Sequence, residues 1–227
     1  MKILVLNGSP KKNSDTMHLT KAFIKGLNKN NEHQIEIIDV IKKNIKPCLG
    51  CFMCWKNLDC KCVQKDDQNE LLEKFITSDL IIWSFPLYCY GMPSHLKAFL
   101  DRLLPLSKMS MKESNGVVFH DTLIDFSKKK YVVISGCGFP NWNGNFEAIK
   151  IQTKNMFGDN LTTICVPETP MLNEPSAKPL TEPLLAKFSV AGEKYATNLS
   201  LDDSFIKELE TPMIPNEIYI QIVNSQS

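Results

Sequence analysis

Apolar residues in this chain fall into short continuous runs separated by stretches of helical period. Ile3-Leu4-Val5-Leu6 is such a run, and it ends at the turn Asn7-Gly8-Ser9-Pro10. A run of this kind reads as a strand buried on both faces. Met17, Thr20, Phe23, Ile24 and Leu27 then share one helical face, and Asn28 to Asn31 stop that helix. His33 to Val40 alternates and predicts a second strand. Asp79 to Phe85, Tyr131 to Ile134 and Leu161 to Val166 predict three more. Leu71, Leu72, Phe75 and Ile76 mark a short helix behind Asp66-Asp67, acidic residues suited to its positive end. Pro93 opens a helix whose Leu96, Phe99, Leu100 and Leu103 lie together, and Phe146 to Phe157 forms another, stopped by Gly158. Residues 105–128 are polar and read as an irregular surface excursion. Residues 167–178 contain Pro167, Pro170 and Pro175 and read as loop. Helices are expected near 181–197 and 202–210, and the tail 215–223 reads as extended or helical.

Strands alternating with helices imply parallel pairing, right-handed crossovers and an α/β fold. Five such strands predict a three-layer open sheet with helices on both faces. Ligands of such sheets bind beyond the carboxyl ends of the strands. Three loops should therefore meet at one rim: 8–16, 86–92 and 135–145.

The first of these loops carries the hydroxyls of Ser9, Ser14 and Thr16 ahead of a helix. Hydroxyl donors, free backbone N–H groups and the positive end of the helix dipole together suit a phosphate. A plain turn capped by Ser14 is the alternative. Asp15 suits a phosphate only if it turns away. The loop lacks the G-x-x-x-x-G-K-[ST] and G-x-G-x-x-G patterns of other nucleotide sites. The second loop, Pro86 to Met92, offers two aromatic rings and a glycine, which suit a flat ligand or a packed interface.

Charge is balanced, with 26 basic and 25 acidic residues, so no nucleic-acid partner is expected. No apolar run approaches a membrane span, and the first apolar run is expected to be a strand rather than a signal peptide. Five of the eight cysteines lie between Cys48 and Cys62. A disulfide framework is not expected, and a reducing, cytoplasmic setting is. Cys48-x2-Cys51-x2-Cys54-x5-Cys60-x-Cys62 has iron–sulfur spacing, could hold zinc, or could pack without metal. His18, His33, His95 and His120 read as surface or helix residues.

Three motifs in series point to a family. They are Gly8-Ser9-Pro10 with Asn13 to Thr16, Cys48-x-Gly50-Cys51-x2-Cys54-Trp55 with Cys62 and Asp66-Asp67, and Ser84-x-Pro86-x-Tyr88 with Met92-Pro93 and Leu96 to Arg102. Over about residues 1–165 the chain resembles the flavodoxin-like NAD(P)H-dependent FMN reductases, with the iron–sulfur flavoproteins as nearest relatives. The resemblance implies a flavodoxin-like FMN-binding domain over 1–166, including the Cys-rich loop 47–63. It leaves 167–227 as a helical extension packing on the same domain or on a partner subunit. It implies that Ser9, Ser14 and Thr16 bind the FMN phosphate with Lys11 and Asn13 nearby. Pro86, Leu87, Tyr88, Tyr90, Gly91 and Met92 would line the isoalloxazine ring, and Ser135, Gly136, Cys137 and Gly138 would approach it from a third side. It implies a homodimer or homotetramer, NAD(P)H as donor, and a quinone, flavin or nitro compound as acceptor, the flavin carrying the chemistry.

The cysteines divide that family. Cys48, Cys51, Cys54 and Cys60 fit the spacing of iron–sulfur flavoproteins that hold a four-iron four-sulfur cluster, with Cys62 as an alternative fourth ligand. The same stretch also resembles reductases whose cysteines hold none. The alternative to a reductase is an iron–sulfur flavoprotein or flavodoxin-like electron carrier that receives electrons from ferredoxin.

Overall fold

A computed structural model describes residues 1–225. In chain order its elements are β1 (Lys2–Asn7), α1 (Asp15–Leu27), β2 (Gln34–Asp39), α2 (Met53–Asn57), α3 (Gln68–Thr77), β3 (Leu80–Pro86) and α4 (Ser94–Asp101). Then come β4 (Ser107–Ser114), β5 (Val117–Thr122), β6 (Lys130–Gly136), α5 (Glu147–Phe157), β7 (Leu161–Val166), α6 (Lys178–Asn198), α7 (Asp203–Leu209) and α8 (Asn216–Asn224).

Five strands form one parallel sheet in the order β2-β1-β3-β6-β7. Counting sheet strands alone, this is the doubly wound, flavodoxin-like order. The apolar runs explain the layering. Alternate residues of each central strand face opposite sides, so Leu4, Leu6, Ile81, Trp83 and Phe85 join one core and Ile3, Val5, Leu80 and Ile82 the other. The first core is closed by α3, α4 and α5 through residues such as Phe75, Phe99 and Ile149. The second is closed by α1 and α6 through Leu19, Phe23, Phe188 and Tyr195.

One expectation needs correction. Residues 105–128 are not irregular. They hold the antiparallel hairpin β4–β5, turned at Asn115-Gly116, both with positive φ (51° and 76°). An Asn-Gly pair ahead of Val117-Val118-Phe119 is a hairpin signal, because a left-handed two-residue turn matches strand twist. The surrounding polar residues hid it. Of the two conformations expected for the tail, the structure has the helical one, α8. No helix among the described residues is long and apolar enough to cross a membrane.

The contact between α1 and α6 depends on two glycines. A Cβ at Gly26 would lie 1.8 Å from the Ser189 carbonyl oxygen, and one at Gly192 would lie 1.9 Å from that of Phe23. The helices therefore touch backbone to backbone. Replacing Gly192 with Ala gains up to about 1 kcal/mol of helix propensity. Forcing the helices apart costs about 1–3 kcal/mol, and at a contact this short the steric effect wins. Urea unfolding of Gly192→Ala is expected to show a net loss of about 1–2 kcal/mol. A variant as stable as its parent would contradict the packing described.

Candidate functional site at the carboxyl rim of the sheet

The loop after β1 is built by local hydrogen bonds. Asn7 Nδ2 donates to Asp39 Oδ1 (2.9 Å), which leaves Asn7 Oδ1 to accept from the Ser9 amide (3.0 Å). Gly8 donates to the Ser84 carbonyl (2.8 Å). A Cβ there would meet Leu96 Cδ2 at 2.6 Å and the Cβ atoms of Phe85 and Leu96 at 3.1 and 3.2 Å, so glycine lets the loop lie close against β3 and α4. Ser14 caps α1, its Oγ accepting from Met17 N (3.2 Å) and lying 3.1 Å from Thr16 Oγ1. Both readings of Ser14 thus meet at one atom: it is a cap, and its hydroxyl sits beside a second hydroxyl at the positive end of the helix. Thr20 Oγ1 hydrogen-bonds the Thr16 carbonyl (3.0 Å) and Ser84 Oγ (2.7 Å), fastening this turn to β3.

Lys11 and Asn13 are engaged within the protein. Lys11 Nζ lies 2.9 Å from Asp15 Oδ2. Asn13 Nδ2 donates to Asn173 Oδ1, and Asn173 Nδ2 donates to the Asn13 carbonyl and to Asp15 Oδ1. His18 Nε2 lies 3.0 Å from Asn173 Oδ1. The Asp15 carboxylate is therefore taken up by Lys11 and Asn173. Sequence reading missed Asn173 and left His18 as a plain helix residue. Asn13 and Asn173 lie 160 positions apart, so no local pattern could have joined them.

Pro86 to Met92 leaves the end of β3 as a tight turn. Tyr88 and Gly91 exchange backbone hydrogen bonds (both 3.0 Å), and Cys89 and Tyr90 between them have φ of 47° and 64°. Two left-handed residues without glycine carry backbone strain of about 1–2 kcal/mol each. Tyr88 and Tyr90 are exposed, whereas Met92 is buried in the core and Leu87 packs against it. Tyr90 faces Phe139 of the loop after β6, their rings 6.4 Å apart and 8° from parallel. Phe139 was read as part of that loop but not as a site residue.

In that loop Ser135 is buried, its Oγ without a partner. A Cβ on Gly136 would meet Thr169 at 2.4 Å and Thr16 at 3.0 Å, which brings the loop against the first one. The Cys137 thiol is buried, and burial pushes it up to about 11, so it is a core group. The Cys137 amide and carbonyl bond to Val166 and Thr169. Gly138 lies in ordinary contact with Pro170.

The cysteine stretch forms its own pocket. Cys48, Cys51, Cys54 and Cys62 line one cavity with Leu49, Phe52, Leu104, Pro105 and Arg102. Cys60 does not line it, and packs against the sheet core instead. Cys62 is clamped, its amide donating to Asn69 Oδ1 (2.8 Å) and its carbonyl accepting from Asn69 Nδ2 (2.9 Å). Burial, then the neighbouring Cys62 and Cys51 thiols, raise Cys54. Among the described residues no three His, Cys, Asp or Glu side chains converge on a single-ion site. A four-iron cluster places each thiolate on a different iron, so its ligands stand wider apart than those of one ion.

The family model for NADPH-dependent FMN reductases matches residues 1–174. An iron–sulfur flavoprotein of Archaeoglobus fulgidus is 33% identical over 105 residues, which cover 46% of this chain and 46% of that protein. The chain spans about half the length of the sequence relatives it matches. An FMN-dependent NADH-azoreductase of Bacillus anthracis, solved with FMN, shares the fold with a TM-score of 0.61 at 18% identity, covering 87% of this chain and 98% of that one. An NAD(P)H:quinone oxidoreductase of Methanothermobacter marburgensis does so with a TM-score of 0.58 at 18% identity, covering 88% and 96%.

Glu168 anchors the far side of the rim. It is fully buried with φ of 58°, its amide donating to the Phe139 carbonyl (2.9 Å). Its Oε2 accepts from Met213 N (2.5 Å), while Oε1 has no partner. Burial raises its carboxyl above the ordinary 4.5, offset in part by the Met213 and Ile214 amides. A carboxyl raised by folding lends stability that is complete below its unfolded value and is lost as pH rises through the folded one. Stability should thus decline above about pH 4.5 through this group. In urea melts from about pH 4 to about pH 8, Glu168→Gln is expected to gain on its parent as pH rises. A difference that stays constant with pH would count against this.

Proposed function

This chain belongs to the NADPH-dependent FMN reductase family, and from that premise we propose that it binds FMN and passes hydride from NAD(P)H to a small acceptor. The acceptor class is a quinone, a flavin, or an azo or nitro compound. The observation that carries the reading is the hydroxyl pair Ser14–Thr16 at the N-terminus of α1, on the rim that also presents Tyr88, Tyr90 and Phe139.

The residues fit the cofactor's chemistry. Ser9, Ser14 and Thr16 supply hydroxyl donors for a phosphate, and the first turn of α1 supplies amides and a positive dipole end. Lys11 and Asn13 reach the same loop, and the Lys11–Asp15 pair keeps the carboxylate occupied. Pro86 to Met92 and Gly136 to Phe139 offer backbone and aromatic faces for a flat ring and for the partner stacked on it. Bound FMN supplies the hydride chemistry. The protein's part is to hold the phosphate, orient the ring and exclude water. A homodimer or homotetramer that covers the exposed rings fits this reading.

A second reading is favoured by one observation, the pocket lined by Cys48, Cys51, Cys54 and Cys62. In it the chain also carries a four-iron four-sulfur cluster and passes single electrons, received from a ferredoxin-type donor. Four thiols on a largely apolar wall suit iron–sulfur ligation. The fourth ligand is then Cys62 and not Cys60, whose thiol packs on the core.

Replacing Ser14 and Thr16 together with Ala is expected to weaken FMN binding at least about tenfold in a fluorescence titration. Unchanged affinity would remove the phosphate cradle. For the second reading, anaerobic purification with iron and sulfide analysis is expected to find a cluster that Cys62→Ser loses and Cys60→Ser keeps. No iron in the parent, or the reverse order of loss, would sink it.

A further inference from the structure

We propose that Arg102, held by Asp66, is the fixed positive charge of the cysteine pocket and tunes how readily a cluster bound there takes up an electron. Arg102 can have this role only if Cys48, Cys51, Cys54 and Cys62 hold a cluster, as in the second reading above.

Arg102 stands at the end of α4 yet is only 1% exposed. Its Nη1 and Nη2 meet Asp66 Oδ2 and Oδ1 at 2.5 and 2.9 Å, and Nη1 also donates to the Lys46 carbonyl (3.0 Å). The printed bonds of this fork run to Asp66 and the Lys46 carbonyl, and the Cys62 thiol lies beside the same guanidinium. The Nε–H, buried and on the same pocket wall, has no acceptor. An orphaned donor in the interior calls for a partner. Apart from Arg102 and Gln64, the pocket's lining is thiols and apolar residues, and Cys62 lies within the guanidinium's reach. An electron-rich group held by those thiols would supply the missing acceptor.

Charge points the same way. Four thiolates around a cluster make a net anion, and each electron added makes it more negative. Leu49, Phe52, Cys48 and Cys51 on the outer wall are exposed, but Arg102 itself is out of water on the inner wall beside Pro105, where its charge is screened less than a surface charge is. A buried guanidinium then favours the reduced form, since cluster potentials follow net charge and hydrogen bonds to sulfur. Asp66 does the opposite: its carboxylate offsets part of the guanidinium's charge. The step is a one-electron reduction. The donor, a reduced ferredoxin-type protein or dithionite in the test, loses one electron and the cluster gains it. No bond forms or breaks and no proton is taken up.

The pair makes opposite predictions for its two members. Protein reconstituted anaerobically with ferrous iron and sulfide is titrated with dithionite and followed by visible and electron paramagnetic resonance spectra. Arg102→Gln is expected to shift the cluster to more negative potential, by about tenfold in the reduced-to-oxidised ratio, ~59 mV for one electron. Asp66→Asn is expected to shift it positive, and Arg102→Lys, which keeps the charge but lacks the Nε–H, to shift it negative by less than Arg102→Gln does. A pair that merely fastened the loop would loosen it in either variant, with shifts of one sign or none. That result, in protein that retains its iron, overturns the role of Arg102 and leaves the cluster reading standing. A parent that takes up no iron and sulfide overturns both. Should the Arg102 variants fail to fold, the sign of the Asp66→Asn shift decides.

Discussion

The cysteine loop, the end of α4 and the start of α3 are held together by one buried ion pair, Asp66 with Arg102. Burial by itself would raise the Asp66 carboxyl, but the Arg102 fork and the amides of Lys46 and Gln68 outweigh it and hold the carboxyl below its ordinary value. A guanidinium leaves water only where its donors are met, and removing one member of such a pair costs about 3–5 kcal/mol. Arg102 binds Lys46 on one side of the loop and Asp66 on the other. The stretch between them, which carries all five clustered cysteines, is therefore closed at its base like a noose. That closure lets Cys48, Cys51, Cys54 and Cys62 share a pocket although their loop contains only the short helix α2.

The sheet imposes the second constraint. Its central strands are buried on both faces, so no polar chemistry can be placed on the faces themselves. Parallel strands send their exit loops to one rim, and the hydroxyl loop, the Tyr88–Tyr90 turn and the Phe139 loop meet there. Close contacts tie these loops together: Gly136 against Thr16 and Thr169, Gly8 against Leu96, Glu168 against the Phe139 carbonyl. The rim holds three left-handed non-glycine residues, Cys89, Tyr90 and Glu168, and the cysteine loop three more, Phe52, Leu58 and Cys60. Such strain persists only where surrounding contacts over-determine the backbone.

The hairpin β4–β5 joins the rest through the cysteine loop. His120 packs against Trp55, their rings 4.8 Å apart and tilted by 47°, and Trp55 Nε1 donates to Ser107 Oγ (3.2 Å). Phe52, on the pocket wall, stacks on Trp55 in turn at 5.0 Å. The pocket thus communicates by packing with an element that sequence reading had dismissed as irregular.

Much of the fold was legible in the chain itself. The five apolar runs fixed the strands, their alternation with helices fixed parallel pairing, and Ser14 before a helical face marked the cap. These features rest on local periods and caps, which neighbouring residues determine. The Asn115-Gly116 turn was equally local and was overlooked. Other features had no local signal. Gly26 and Gly192 become essential only when two helices cross, and Asn173 reaches Asn13 only once β7 returns beside β6. Cys60 and Cys62 both suit the spacing and are equally half-buried, and only their placement separates them, one packing on the core and the other lining the pocket. Arg102 reads as an ordinary helix-end cation until its carboxylate partner arrives from 36 positions away. Sequence by itself determined which residues could do the chemistry, because residue type and spacing are local. The tertiary structure decided which of them meet, because burial, charge pairing and close backbone approach depend on contacts between distant parts of the chain.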